Sequence, residues 1–210
     1  MSEDLAQSIT KKILTRMERS KHPIPVGISN RHLHLTQEHF ETLFGKGAAP
    51  KKYRDVRQPG YYACHEAVTV AGPKGQLKNV RLVGPYRPQT QVELSRADAL
   101  VLGISPPVRE SGQLRGSAPA KLIGPRGEVD LKEGVILAMR HVHLHPREAQ
   151  AIGIEDKEMV RVRAGAGGGR ALVFEDVVCR VSDKFALEFH VDTDEANAAG
   201  LKTGDAVYFV

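Results

Sequence analysis

One segment of the sequence occurs twice, about half a chain apart, and it constrains the fold more than any other feature. Residues 25–35 read Pro-Val-Gly-Ile-Ser-Asn-Arg-His-Leu-His-Leu, and residues 134–144 read Gly-Val-Ile-Leu-Ala-Met-Arg-His-Val-His-Leu. In each copy an apolar strand runs into Arg-His-x-His-Leu, and a short acidic helix follows that ends near Phe44-Gly45 or Ile152-Gly153. Two copies of one unit predict two related modules.

From residue 25 onwards the pattern is that of a β protein. Short β-branched runs, such as residues 67–70, 80–83 and 160–163, are separated by Gly-Pro and Gly-Gly turns. Strands this short at this spacing favour barrels or sandwiches over a doubly wound sheet. Short helices are expected at residues 36–44, 95–102, 146–152 and 193–199.

The first twenty residues predict an amphipathic helix. A Pro-rich segment, His22-Pro23-Ile24-Pro25, then stops the helix and serves as a linker. The pattern alone fits two roles equally well: a docking element, or a helix packed on its own domain. Apolar residues lie at helical spacing at Leu5, Ile9, Ile13, Leu14 and Met17.

Composition narrows the class of protein. The chain has 210 residues, long enough for one large or two small domains with a real core. Its two cysteines, Cys64 and Cys179, cannot form a disulfide framework, which favours a reducing compartment. No apolar run is long enough to span a membrane and no secretory signal is visible. A net charge of +5 favours anionic partners, although a solvated basic surface explains it equally well.

The two histidine pairs are candidate metal ligands. Residues i and i+2 of a strand point to the same side, so His32 and His34 project together, as do His141 and His143. His190, near the end of an alternating strand, and Glu93, between apolar neighbours, are candidate further ligands. Two alternatives stay open: the repeated motif only packs a turn, or Glu93 pairs with an arginine.

Two other segments carry candidate chemistry. Arg87, in a loop bounded by Gly84-Pro85 and Pro88, is suited to bidentate binding of phosphate, although a solvent-facing arginine fits the same pattern. Cys64 and His65 are adjacent in a strand and point to opposite faces, which argues against a nucleophile–base pair. Both cysteines are expected to be small buried thiols.

The chain resembles the phosphate propanoyltransferase (phosphotransacylase) family of propanediol-utilisation bacterial microcompartments. The resemblance covers essentially the whole chain, and its last segment is very specific. The N-terminal helix also resembles the peptide that directs such enzymes into the shell. The residues that carry the resemblance are 25–35, Gln58-Pro59-Gly60, 79–85, 90–93, 140–143 and 190–200.

The resemblance implies a mainly β fold of two interlocked β-barrel domains capped by short α-helices, with the active site between the barrels. Residues 1–22 would be the targeting helix and linker, residues 23–30 with 139–210 one barrel, and residues 31–138 the other. It also implies two divalent metal ions per chain, usually zinc. One would be held by His32, His34 and Glu93, and the other by His141, His143 and His190.

The reaction implied is acyl-CoA plus phosphate in equilibrium with acyl phosphate plus CoA. Arg87 would hold the phosphate and act as the catalytic residue, and propanoyl is the acyl group of the family. Positions expected near CoA are Ser29, Arg54, Arg81 and Asn197. The sequence departs from the family pattern around Tyr61, Cys64 and His65, which bears on the wall of the CoA pocket.

We therefore expect a zinc-dependent phosphate acyltransferase in which phosphate attacks the thioester directly, without an acyl-enzyme. We expect it in the bacterial cytoplasm inside a microcompartment, contacting shell or cargo proteins through residues 1–20, with no membrane or nucleic-acid partner. Exposed helix and barrel edges favour a homodimer. Three alternatives remain: a metal-dependent thioester or phosphoester hydrolase, a basic barrel that binds nucleic acid, and a cargo scaffold. A low aromatic content, 5%, argues against single-strand binding.

Overall fold

The computed structural model describes residues 3–165 and 167–210, and the side chains of all of these except residues 3, 4, 11 and 12. The expected fold class is confirmed: strands make up 41% and helices 21%, in two closed six-stranded barrels with few short helices. The helices are α1 Glu3–Arg19, α2 Gln37–Phe44, α3 Arg96–Leu102, α4 Pro146–Ile152 and α5 Thr193–Ala199. None of the helices within the described residues is long and apolar enough to cross a membrane.

The chain divides into two compact units. The terminal unit comprises Met1–Ile28, Arg140–Val191 and Glu195–Val210, and the middle unit comprises Ser29–Met139 with Asp192–Asp194. The strands of the terminal unit are β1 Ile24–Ser29, β10 His141–Leu144, β11 Met159–Ala164, β12 Leu172–Val181, β13 Glu188–Asp192 and β14 Ala206–Phe209. The strands of the middle unit are β2 His32–His34, β3 Lys52–Asp55, β4 Tyr62–Ala71, β5 Gln76–Gly84, β6 Gln91–Leu94, β7 Val108–Arg109, β8 Ala118–Ile123 and β9 Glu128–Ala138.

The terminal unit is a closed barrel in the order β1-β13-β10-β12-β11-β14, and β14 pairs back with β1. Strand β10 runs parallel to β12 and antiparallel to β13. Alternating side chains of these strands fill the interior, which includes the fully buried Val142, Phe189 and Val207. The interior is therefore closed on all sides by strand pairing, which leaves the strand ends and the outer faces for other groups.

The middle unit closes in the same way, in the order β4-β5-β2-β6-β9-β8, with β8 pairing back to β4. Strands β3 and β7 extend it at β4 and β9. Strand β2 runs parallel to β5 and antiparallel to β6, which repeats the relations of β10 to β12 and β13. The two barrels thus share one pairing scheme, as the duplicated segment predicts.

The structure shows four related strand–helix segments rather than the two detected in the sequence. A capping residue follows β6 and β10 directly and follows β2 after Leu35: Thr36, Ser95 and His145 accept backbone N–H groups of the helices that follow. Strand β13 leads directly into α5. Each of these helices is followed by a glycine with positive φ, which an L side chain rarely adopts; these are Gly45, Gly103, Gly153 and Gly200.

Two turns of the middle unit pack on these helices. The turn at Gly72 rests on the carbonyl of Leu102 at the end of α3, and the turn at Gly124 rests on the carbonyl of Leu43 in α2. A β-carbon at Gly124 would lie 2.5 Å from the Leu43 oxygen, too close for any side chain. The repeated Gly-Pro-x-Gly turns therefore fix the helices against the barrel, and they hold the strands that precede those helices.

Helix α1 is amphipathic, as expected, but its apolar face does not pack on its own domain. Leu5, Ile9, Ile13, Leu14 and Met17 are each at least 43% exposed. The contact with the terminal unit is made at its C-terminal end, where Arg19 pairs with Glu158 (Nη1 to Oε1 2.5 Å) and donates to the carbonyls of Ile152 and Gly153. The helix is thus anchored at one end and presents an unburied apolar stripe.

Candidate metal centres

The first candidate centre lies on two neighbouring strands of the middle unit. In the antiparallel pairing of β2 with β6, His32 lies opposite Glu93 and His34 lies opposite Gln91. Since residues i and i+2 share a face, both histidines and Glu93 project to the same side. One ligand atom from each of His32, His34 and Glu93 lies within 4.8 Å of the other two. This is the set that the family resemblance implies for one metal ion.

Hydrogen bonds leave one nitrogen of each histidine available. Nδ1 of His32 lies 2.9 Å from the carbonyl oxygen of Asn30, and Nδ1 of His34 lies 2.8 Å from that of Val83. A ring that donates from Nδ1 presents an unprotonated Nε2, the form that ligates a metal. Burial, with the neighbouring His32 second, lowers the pKa of His34 to about 3, so this ring is neutral at physiological pH.

The carboxylate of Glu93 is ionised despite its burial. Burial alone would raise its pKa, but coulombic interactions with the two histidine rings and Arg87, and the hydrogen bond from Ser111, outweigh that effect and lower it. Its Oε2 lies 3.7 Å from Nε2 of His32. A buried carboxylate beside two imidazoles is a suitable ligand for a divalent cation.

Arg87 reaches this centre through a serine. Its Nη1 donates to the hydroxyl of Ser111 at 2.9 Å, and that hydroxyl donates to Oε1 of Glu93 at 2.9 Å. The amide of Gln91 donates to both Ser111 (2.8 Å) and Glu93 (2.5 Å). The backbone N–H of Arg87 is fixed by the carbonyl of Leu35 at 2.9 Å. The guanidinium of Arg87 is therefore half-buried and fixed, and the hydroxyl of Ser111 links it to Glu93. It is not a mobile surface arginine.

The second candidate centre has the same construction in the terminal unit. In the pairing of β10 with β13, His141 lies opposite His190 and His143 lies opposite Glu188. The rings of His141, His143 and His190 have centroids 4.6–4.8 Å apart. One nitrogen from each lies within 4.8 Å of the other two. His190, which the family resemblance implies as the third ligand beside His141 and His143, therefore lies on the neighbouring strand.

The surroundings of His143 test whether these residues suit a metal ion. Both of its ring nitrogens are buried and have no hydrogen-bond partner in the part of the chain that the structure describes. Burial, with His141 and His190 next, lowers its pKa far below the usual value, so the ring is neutral. Phe185 stacks on it at a centroid distance of 4.0 Å. A buried nitrogen without a partner costs free energy that coordination would recover, so the residues fit a metal.

The four positions expected near CoA lie in different local settings. Ser29 ends β1, with its hydroxyl 3.4 Å from Nδ1 of His32. Arg54 is exposed on the edge strand β3. Arg81 is exposed on β5, where it donates to the carbonyl of Cys64 (2.6 Å) and lies 5.2 Å from the ring centroid of Tyr53. Asn197 is exposed on α5.

Comparison with known proteins identifies the family of the chain. A family model described as phosphate propanoyltransferase matches residues 25–202. A phosphate propanoyltransferase of Thermotoga maritima is 54% identical over 91% of each chain. Those of Salmonella typhimurium (48%) and Clostridioides difficile (44%) cover at least 93% of either chain. The chain belongs to the phosphate propanoyltransferase family.

The sequence did not predict several residues that lie around the two candidate metal triads. Gln91 and Glu188 each lie two residues before a predicted ligand on the same strand, so the i, i+2 rule could have found them. The bond of Ser111 to Glu93 spans 18 residues, and no local pattern reveals it. Phe185 and Arg180, whose guanidinium lies 5.5 Å from the Phe185 ring centroid, gave no signal either.

The two cysteines are buried and free, and neither is placed to act as a nucleophile. Burial raises the pKa of Cys64 to about 11 and that of Cys179 to about 12. A thiol is reactive only as thiolate, and a raised pKa keeps both groups protonated until the pH passes those values.

We therefore expect both thiols of the native protein to react with a disulfide reagent at pH 8 at least about a hundredfold more slowly than free cysteine. Reaction followed by absorbance at pH 8 measures this, and the same protein in denaturant, where two thiols should react at once, is the control. A native thiol that reacted as fast as free cysteine at pH 8 would contradict the burial described here.

Proposed function

We propose that this protein interconverts propanoyl-CoA plus phosphate with propanoyl phosphate plus CoA. The observation that carries the proposal is the hydrogen-bonded chain from Arg87 through Ser111 to Glu93, in a member of the phosphate propanoyltransferase family. This chain joins a cation suited to phosphate with a carboxylate of a metal triad. A phosphotransacylase needs both functions close together, because phosphate must meet a polarised thioester carbonyl.

Arg87 would bind the attacking phosphate. Its guanidinium offers several N–H donors in a planar fork, and only Nη1 is engaged by Ser111 in the contacts described. The backbone bond to Leu35 and the Tyr61 ring, 5.7 Å away, hold the side chain in place. A phosphate oxygen so held would attack the carbonyl carbon, a C–O bond would form, and the C–S bond would break to release CoA.

Two divalent cations, which we propose to be zinc, would act as Lewis acids towards the carbonyl oxygen and the leaving sulfur. His32, His34 and Glu93 would hold one, and His141, His143 and His190 the other. Neutral imidazoles and one ionised carboxylate match the ligands that zinc prefers. The fixed Nδ1 hydrogen bonds of His32 and His34 would keep their free nitrogens aimed at the ion.

The exposed guanidinium groups of Arg54 and Arg81 suit the phosphates of CoA. Tyr53 stands 55% exposed beside Arg81, so a flat aromatic face accompanies the charge. Ser29 and Asn197 would add polar groups for the pantetheine or nucleotide portions. The absence of an activated thiol supports direct transfer of the acyl group to phosphate, with no acyl-enzyme.

A metal-dependent thioester hydrolase is the second candidate, because its water could use the same ligands. We expect CoA release from propanoyl-CoA to require phosphate, to stop on chelation, and to return when zinc is added. Release would be followed with a thiol reagent, while the metal bound per chain is counted on the same sample. Release without phosphate would instead establish the hydrolase, and no release with no bound metal would refute both.

Arg87→Lys should weaken the use of phosphate specifically. Lysine keeps the charge but loses the planar fork, so we expect kcat/KM for phosphate to fall roughly tenfold to a hundredfold, the loss of one or two charged hydrogen bonds. KM for propanoyl-CoA should change little. Steady-state kinetics with each substrate varied would show this.

Arg126→Lys, an exposed arginine in the turn Gly124–Gly127 of the same barrel, is the matched control and should leave both constants unchanged. Equal losses for the two substrates in Arg87→Lys would contradict a role in phosphate binding.

We propose further that helix α1 directs the enzyme into a bacterial microcompartment in the cytoplasm, by binding shell or cargo proteins. The exposed stripe from Leu5 to Met17 supports this, because an apolar face of that length is unstable in water without a partner. We also propose that the protein forms a homodimer and binds neither membrane nor nucleic acid.

Deletion of residues 1–20 should leave phosphate-dependent CoA release within about twofold of the full chain, because no candidate ligand lies there, and should abolish encapsulation. Co-purification with intact shells measures the second effect. A variant with Leu5, Ile9 and Ile13 changed to serine should behave like the deletion. Encapsulation of either variant at the level of the full chain would refute the role of the stripe.

A further inference from the structure

A buried carboxylate touches the terminal ligand set. Glu188 is 5% exposed and lies on β13 two residues before His190. Its Oε2 is 2.7 Å from Nε2 of His190. Glu188 itself is not among the residues whose ligand atoms lie within 4.8 Å of one another. It therefore contacts a ligand of the proposed ion rather than the position of the ion.

The middle unit has a polar residue at the equivalent register position. Gln91 precedes Glu93 by two residues, as Glu188 precedes His190, and each lies opposite the second histidine of its pair. Gln91 donates its amide N–H to Glu93. The carboxylate of Glu93 can only accept, and it meets the amide donor of Gln91; the ring N–H of His190 donates, and it meets the carboxylate acceptor of Glu188. Each position therefore carries the hydrogen-bonding group that suits the ligand beside it.

Strand β1 leaves room for this carboxylate. Gly27 has no positive φ, so its backbone conformation does not require glycine. A β-carbon there would lie 2.5 Å from Oε1 of Glu188, 2.7 Å from its Cδ and 2.9 Å from Cδ2 of His190. Gly27 is therefore explained by the lack of room for a side chain beside Glu188, and not by its backbone conformation.

We propose that Glu188 is a positioning residue, which accepts the Nε2–H of His190 and so presents the unprotonated Nδ1 of that ring to an ion shared with His141 and His143. Gly27 provides the space in which the carboxylate does this. A carboxylate behind a ligating imidazole fixes its tautomer and its orientation and strengthens it as a ligand. The inference rests on the metal binding of the proposed function.

Cobalt(II) binding tests the inference without reference to turnover. The full chain, stripped by chelation, is titrated with Co²⁺ and followed by visible absorption and by counting bound metal. Wild type should bind two ions per chain, and His190→Ala one. Glu188→Leu, which has no acceptor, should weaken one of the two ions by roughly tenfold to a hundredfold and shift its absorption. Glu188→Gln keeps an acceptor oxygen and should recover most of the affinity.

Two further variants make the test specific. Gly27→Ala should weaken the same ion as Glu188→Leu, because its methyl group displaces the carboxylate and crowds the ring of His190. If Glu188→Leu does not fold, wild-type cobalt affinity in Gly27→Ala would overturn the role of Glu188. Glu175→Leu removes an exposed carboxylate that pairs with Arg161 on the same barrel, and it should bind both ions as wild type does. The unfolding midpoint of each metal-free variant is measured alongside. The loss of cobalt affinity should appear in Glu188 or Gly27 variants whose unfolding midpoint matches that of wild type.

The results separate two failures. Wild-type affinity at both sites in Glu188→Leu and Gly27→Ala would overturn the role of Glu188 while leaving the metal centres intact. Equal losses in Glu188→Gln and Glu188→Leu would overturn the hydrogen-bond role, because charge rather than acceptance would then matter. A wild-type chain that binds no cobalt would instead refute the metal binding on which the proposed function depends.

Discussion

The antiparallel pairing of two short strands in each barrel is the constraint on which the candidate sites depend. In β2 with β6, and in β10 with β13, the register places two side chains of one strand directly opposite two of the other. Because the period of a strand is two residues, all four side chains share a face. A slip of one residue would turn every ligand into the barrel core and bring the apolar residues out. The closed barrels exclude such a slip, since each strand is paired on both sides.

The repeated Arg-His-x-His-Leu motif has a structural role in both barrels, which its arginine and leucine perform. Leu35 and Leu144 are fully buried in the two cores. Arg31 pairs with Asp98 of α3, and Arg140 with Glu195 of α5 at 3.3 Å. In each barrel the arginine of the repeated motif thus forms an ion pair with the helix that follows the neighbouring antiparallel strand, β6 or β13. The histidines between arginine and leucine are held rigid at both ends, which preorganises them before any ligand binds.

Local patterns in the sequence were enough to predict the helices and to predict that the two histidines of each pair project together, because both depend on spacing along one strand or helix. The four short helices begin within a residue of their expected positions; Thr36 and Ser95 are common N-cap residues, and Pro146 suits the first position of a helix. The second and fourth strand–helix segments escaped notice because Gln91-Val92-Glu93-Leu94 and Glu188-Phe189-His190-Val191 do not contain the histidine pair. The contact of Ser111 with Glu93 depends on how a distant loop closes. The exposure of the apolar stripe of α1 depends on whether the barrel surface packs against it. The helical periodicity of the sequence does not contain that information.

The shared register makes the two triads alike in geometry, and their charges make them different in chemistry. The middle triad contains the ionised Glu93, whose charge is balanced through Ser111 by Arg87. The terminal triad contains three imidazoles, and its carboxylate, Glu188, stands one hydrogen bond further out. A divalent ion bound by neutral ligands keeps more of its charge than one bound directly by a carboxylate, and it polarises its substrate more strongly. With the ions of the proposed function bound, the exchange of Glu93 for His190 at one register position would make the two sites electrophiles of unequal strength.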